Sequence, residues 1–130
     1  VLFYAGSCLA ELERYEEALQ YFFKLDFIES NCIKAWRAIG WCSFVNGKYE
    51  QAMKYYEKIL VSKPLAADYL NAGHVAWRTG KIEKAAELYS KAALEYGGQE
   101  IFREMFGKDK ETLVRQGISE KDIPLMMDLV

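Results

Sequence analysis

The sequence predicts an all-α chain of repeated helix–turn–helix units, on three observations. Gly6, Gly40 and Gly73 recur on a period of about 34 residues, and Ala18, Ala52 and Ala85 keep the same spacings, as do Phe22, Tyr56 and Tyr89. Three residue classes on one period mark a repeat array, in which each unit buries its apolar face against a neighbour. Within each unit, apolar residues recur at spacings of three and four, the period of a helix with one buried face. Only two prolines and nine glycines interrupt 130 residues, so long irregular segments are not expected.

The elements follow in order. The first repeat opens inside a helix with Leu2, Ala5 and Gly6, breaks at Glu13-Arg14-Tyr15, and resumes through Ala18 and Phe22. In the second, Trp36, Ile39, Gly40, Ser43 and Phe44 form one stripe, and Asn46-Gly47-Lys48 is a break where Gly47 suits a left-handed helix end. Tyr49, Ala52, Tyr55, Tyr56, Ile59 and Leu60 form the second stripe, which Pro64 stops because proline cannot continue the hydrogen-bond ladder. Gly40 and Ala52 are expected to face each other where the two helices cross, with Tyr56 filling the space toward the neighbouring repeat. The third repeat runs through Tyr69, Ala72 and Gly73, breaks at Gly80-Lys81-Ile82, continues through Ala85 and Tyr89, and ends at Gly97-Gly98.

The tail stays helical in pattern but loses the repeat. Ile101, Phe102, Met105 and Phe106 form a stripe ended by Gly107, and Asp109 is placed to cap a short helix through Leu113 and Val114 that Gly117 closes. Ser119 and Asp122 resemble a capping box at the start of a last helix carrying Ile123, Leu125, Met126, Leu129 and Val130. The predicted organisation is one continuous domain: a first repeat at 1–32, N-terminally truncated, a second at 33–65, a third at 66–98, and a non-repeat helical cap at 99–130. An array needs such a cap because its last repeat exposes an apolar face. The rival expectation is a tail that docks into the groove or into another chain.

The motif itself resembles the tetratricopeptide repeat: large–x2–apolar–Gly in the first helix, Ala–x3–aromatic in the second, and a terminal proline. Here it reads Trp36-x2-Ile39-Gly40, Ala52-x3-Tyr56 and Pro64, then Tyr69-x2-Ala72-Gly73 and Ala85-x3-Tyr89, with Leu2-x2-Ala5-Gly6 and Ala18-x3-Phe22 in the first repeat. The resemblance implies a right-handed α-α superhelix of three repeats plus C-terminal capping helices. Ser43 and Ala76 depart from it, standing where the family usually has a large residue, each followed at once by an aromatic, Phe44 and Trp77. Val1 falls near the third position of the motif, so the chain is expected to be a piece of a longer array.

Composition narrows the function. Apolar residues make up 52% and charged residues 28%, too apolar and too balanced for disorder. A net charge of −2 gives no general attraction to nucleic acid or anionic membrane. No apolar run approaches the roughly 20 residues that span a bilayer. Cys8, Cys32 and Cys42 are odd in number and lack C-x-x-C spacing, so reduced thiols in a cytoplasmic setting are expected. They offer no zinc set either, and no phosphate-binding glycine motif is present. His74 is the only histidine, without a nearby acid, nucleophile or second ligand in the sequence, so it is read as a groove or surface residue. The acidic group Glu11, Glu13, Glu16 and Glu17 lies across a helix break and reads as a solvated set favoured at a helix N-terminus. The chain is therefore expected to be no enzyme and to need no cofactor or metal.

What remains is surface. In the family, ligands lie on the concave face lined by the first helix of each repeat. By motif position that face takes Phe3, Ser7, Ala10 and Glu11, then Lys34, Arg37, Ala38, Trp41, Phe44 and Val45, then Ala67, Leu70, Asn71, His74, Trp77 and Arg78. The candidate groove is Lys34, Arg37, Trp41, Phe44, Leu70, Asn71, His74, Trp77 and Arg78. Trp41, Trp77, Arg37 and Arg78 are the anchors, since tryptophan and arginine dominate binding hot spots. The positions where some family members clamp a chaperone's C-terminal carboxylate read Phe3, Ser7, Ala38, Ala67 and Asn71, so the cationic clamp is absent. The expected function is protein–protein interaction with a peptide or protein segment of apolar and some acidic character. The alternative is a structural end segment that extends a longer array or self-associates through its N-terminal end.

Overall fold

The computed structural model describes residues 1–130, and its regular elements are all helices. Helices α1 (Leu2–Glu11), α2 (Tyr15–Ile28), α3 (Ile33–Val45) and α4 (Tyr49–Leu60) belong to one compact body, Val1–Ser62. Helices α5 (Ala66–Arg78), α6 (Ile82–Tyr96), α7 (Gln99–Lys108), α8 (Lys110–Arg115) and α9 (Ile123–Leu129) belong to a second, Lys63–Val130, with a short 3₁₀ turn at Glu120–Asp122. Three helical hairpins of one design result: α1–α2, α3–α4 and α5–α6.

The turn inside each hairpin is the same motif three times. Arg14 N–H donates to the Leu9 carbonyl, Lys48 N–H to Ser43, and Lys81 N–H to Ala76. One residue earlier, Glu13 N–H bonds Ala10, Gly47 bonds Phe44 and Gly80 bonds Trp77. This nested pair closes a helix when the residue after it is left-handed. Gly47 and Gly80 take that position at φ 79° and 82°, whereas Glu13 holds it at φ 59° with a side chain.

In the N-terminal body, Ala18, Phe22, Ala35, Ile39, Ala52, Tyr56 and Ile59 are buried, and in the C-terminal body Ala72, Val75, Ala85, Tyr89 and Phe102 are. The aromatic of each second helix lies on the glycine of its own first helix. A Cβ placed on Gly6 would meet the Phe22 ring at 2.6 Å, on Gly40 the Tyr56 ring at 2.9 Å, and on Gly73 the Tyr89 ring at 2.6 Å. Tyr56 thus packs inside its repeat, and Gly40 faces the ring rather than Ala52. The absent side chain lets the ring approach the backbone of α3.

The tail differs from the sequence reading in three places. Gly107 does not end α7 but lies inside it. Asp109 precedes α8 without a side-chain cap bond, because its carboxylate accepts from His74 instead. Ser119 makes no cap bond either; the Asp122 N–H bonds its carbonyl, and Pro124 sits in the first turn of α9. Gly117 does close α8, with Ile118 N–H on the Leu113 carbonyl and a φ of 108°.

Candidate functional site

The N-terminal body presents the first-helix face through α1 and α3. Burying Trp36, Ile39 and Gly40 on one side of α3 leaves Lys34 exposed and Arg37, Ala38 and Trp41 partly exposed on another. The Lys34 ammonium stands 3.9 Å from the centroid of Phe3 on α1, a cation–π contact joining the two helices. The Trp41 ring packs 5.7 Å from Phe44, which in turn lies 5.8 Å from Tyr49. Trp41 is therefore held from beneath while part of its surface stays open.

A polar staple braces the same body. Asp26 on α2 accepts from Trp36 Nε1 at 2.8 Å and from the Tyr55 hydroxyl at 3.2 Å, tying α2 to α3 and α4. Burial, then the Asp26 charge, raise the Tyr55 pKa, so it stays a donor. Lys58 lies over both rings, 4.7 Å from Trp36 and 4.9 Å from Tyr55. Behind the face, Ser43 accepts from Gln51 Nε2 at 2.8 Å, and burial pushes the Cys42 thiol up to about 11, leaving it protonated and unreactive.

The C-terminal body uses the same first-helix positions differently. His74 is wholly enclosed, with Nδ1 2.7 Å from the Tyr89 hydroxyl and Nε2 2.9 Å from Asp109 Oδ2. The Asp109 carboxylate can only accept, so Nε2 carries the proton and Nδ1 accepts from Tyr89. Burial lowers the His74 pKa, partly offset by Asp109, and raises that of Tyr89 well above its usual range. The Phe106 ring stands edge-on to His74 at 5.4 Å. Arg78 Nε donates to the Gln116 carbonyl after α8. Trp77 packs 6.3 Å from Tyr89 and 6.4 Å from Phe106, and borders a cavity of about 190 Å³ closed by Ile82, Asp122, Leu125, Met126 and Leu129.

These placements correct part of the candidate groove. Phe44, Leu70, His74 and Trp77 have relative exposures of 0, 3, 0 and 6%, too little to offer a side chain to a ligand. Their apolar and ring surface fills the core, and His74 binds the tail rather than facing solvent. Arg78 is committed to a backbone carbonyl of the tail. Lys34, Arg37 and Trp41 on α3 and the half-buried Asn71 on α5 keep accessible surface. The Asp26 staple escaped sequence reasoning because its partners lie 10 and 29 residues away.

Comparison with known proteins agrees with this architecture. The tetratricopeptide-repeat family model matches residues 33–64 and 69–94. None of the curated proteins matches the chain. Among solved structures, PcrH from Pseudomonas aeruginosa superposes with a TM-score of 0.71 at 17% identity, over 90% of this chain and 89% of that one. PcrH in complex with the chaperone binding region of PopB gives 0.72 at 17% identity, over 85% and 90% of the two chains. PcrH with the corresponding region of PopD gives 0.72 at 17% identity, over 88% and 87%. Glycine–aromatic hairpins on one recurring period, a match of the motif in two of them and a shared fold lead to one assignment: residues 33–64 and 69–94 of this chain are two tetratricopeptide repeats.

Proposed function

We propose that the chain is a protein-interaction module that binds a peptide or protein segment on the first-helix face of its N-terminal body, with Trp41 and Arg37 as anchors and Lys34 beside them. The observation that carries this reading is the braced but partly open Trp41 ring with two cationic side chains on the same helix. Such a face suits a segment with an apolar side chain for the ring and acidic groups for the cations. Asn71 is the accessible polar position on α5. One protein of the same fold, PcrH, is known in two complexes, with the chaperone binding regions of PopB and of PopD, which supports peptide capture by this architecture. Binding fits better than catalysis, because the one histidine is enclosed and has both nitrogens engaged. No helix is long and apolar enough to cross a membrane. Three unpaired cysteines suit a cytoplasmic setting.

A second reading has an observation of its own. Tyr4 on α1 is 75% exposed and Phe27 on α2 is 91% exposed, which supports self-association through the N-terminal body. Capture of partners from the source cell by the whole chain, with the Arg37→Ala/Trp41→Ala variant as control, tests the first reading. Loss of the partner at unchanged helicity is expected, and retention would sink it. Sedimentation across a concentration series tests the second.

A further inference from the structure

Gly107 continues the glycine period, one full repeat beyond Gly73. Like Gly6, Gly40 and Gly73 it follows an apolar residue, here the buried Phe106, and lies within a helix. Helix α7 is in this respect the first helix of a fourth repeat. The earlier glycines are each covered by a ring from the second helix of the same hairpin, Phe22, Tyr56 or Tyr89, at 2.6 to 2.9 Å from a built Cβ. Each ring follows by four positions an alanine, Ala18, Ala52 or Ala85, that is wholly buried. A Cβ built on Gly107 would meet nothing within 4 Å, and the residue is exposed. The position equivalent to the three rings is Ile123, which belongs to α9, and α9 borders the Trp77 cavity instead. Beside the bare glycine lies a depression of about 480 Å³ lined by Gly107, Lys110, Glu111, Val114, Arg115 and Glu120.

We infer that the Gly107 face of α7 is a docking site for a helix of a partner protein carrying alanine four positions before a tyrosine or phenylalanine. The occupant is read from the chain itself, which solves the same packing problem three times with the same two residue types. A glycine on a helix leaves a flat patch of backbone, and an aromatic ring covers it with large apolar area and few rotamers to fix. The half-exposed Val114 supplies apolar floor, while the pairs Lys110–Glu120 at 3.0 Å and Arg115–Glu111 at 3.1 Å put both signs on the rim. An amphipathic helix with mixed polar flanks meets that rim without an unpaired charge. The site uses none of the residues proposed for the α3 face, so the two stand or fall separately.

The probe is a synthetic peptide of residues 82–96, the chain's own second-helix solution, titrated into the isotopically labelled full chain while amide shifts are followed. Saturable shifts at Gly107, Lys110 and Val114 are expected. A peptide lacking the ring, Tyr89→Ala, should bind about tenfold more weakly or not at all. The Gly107→Leu chain fills the patch from its own side and should lose the shifts at undiminished melting temperature, since a Cβ there meets nothing. Equal affinity for the ringless peptide, or for the Gly107→Leu chain, would overturn the site. Shifts centred on Gly73 would mean exchange with α6 and would also overturn it. Dimerisation that Gly107→Leu abolishes, without peptide binding, would assign the face to a second copy and refute a partner helix.

Discussion

At Gly73 one missing methyl group decides how closely two helices pack. The Tyr89 ring would lie 2.6 Å from a Cβ there, and the ring cannot retreat, because Phe102, Phe106 and Trp77 surround it at 5.5 to 6.3 Å between centroids. Its hydroxyl is also fixed, on His74. Overpacking of this kind costs about 1–3 kcal/mol, whereas alanine in a helix interior returns about 1 kcal/mol relative to glycine. Gly73→Ala should therefore destabilise by up to about 2 kcal/mol in chemical denaturation, and a gain in stability would refute the close fit. His74 gives the second prediction at this scale. Its folded-state pKa is lowered by burial, so the unfolded chain takes up the proton first as pH falls. The stability tied to neutral His74 is complete above the unfolded value near 6.5 and is lost progressively as pH drops from there toward the lowered folded value. Melting temperature should decline over that window, and His74→Gln should flatten the decline. A wild-type profile without it would mean that the charged ring is tolerated inside.

At the scale of elements, the tail is an integral covering of the last hairpin. Asp109 reaches His74 from the α7–α8 junction, the Gln116 carbonyl accepts from Arg78, and Leu113, Ile118 and Met126 are buried. Deleting residues 109–130 would leave His74 with an unpaired nitrogen and strip cover from Trp77. An unsatisfied buried polar group alone costs about 1–3 kcal/mol. The shortened chain should lose cooperative melting or solubility, measured by thermal circular dichroism; an intact monomer with new ligand affinity would make the tail a docked segment instead. The hairpins and their breaks were legible because period, small residues and left-handed turn positions are local properties of the sequence. The roles of His74, Trp77 and Arg78 were not. A stripe shows that a helix has an apolar face, but not what covers it, and Asp109 and Gln116 lie 35 and 38 residues away along the chain. Gly107 was legible in principle, one period beyond Gly73, but its helix lacks the rest of the motif.

For the molecule as a whole, charge and site pull in different directions. The chain carries a net −2, so an acidic partner gains nothing from the overall field, yet the proposed face on α3 displays Lys34 and Arg37. Attraction must then be local, between groups exposed to solvent, and at about 1 M salt such interactions are screened within about 3 Å. The Trp41 contribution is apolar burial, which salt does not weaken. The two terms can be separated with the captured partner. Raising salt from about 0.05 to about 1 M should weaken the wild-type complex several-fold. Arg37→Ala should weaken it at low salt and make little further difference at high salt. Trp41→Ala should weaken it by about tenfold or more at both. An affinity insensitive to salt, together with a silent Arg37→Ala, would leave the ring as the only anchor and remove the acidic character proposed for the partner.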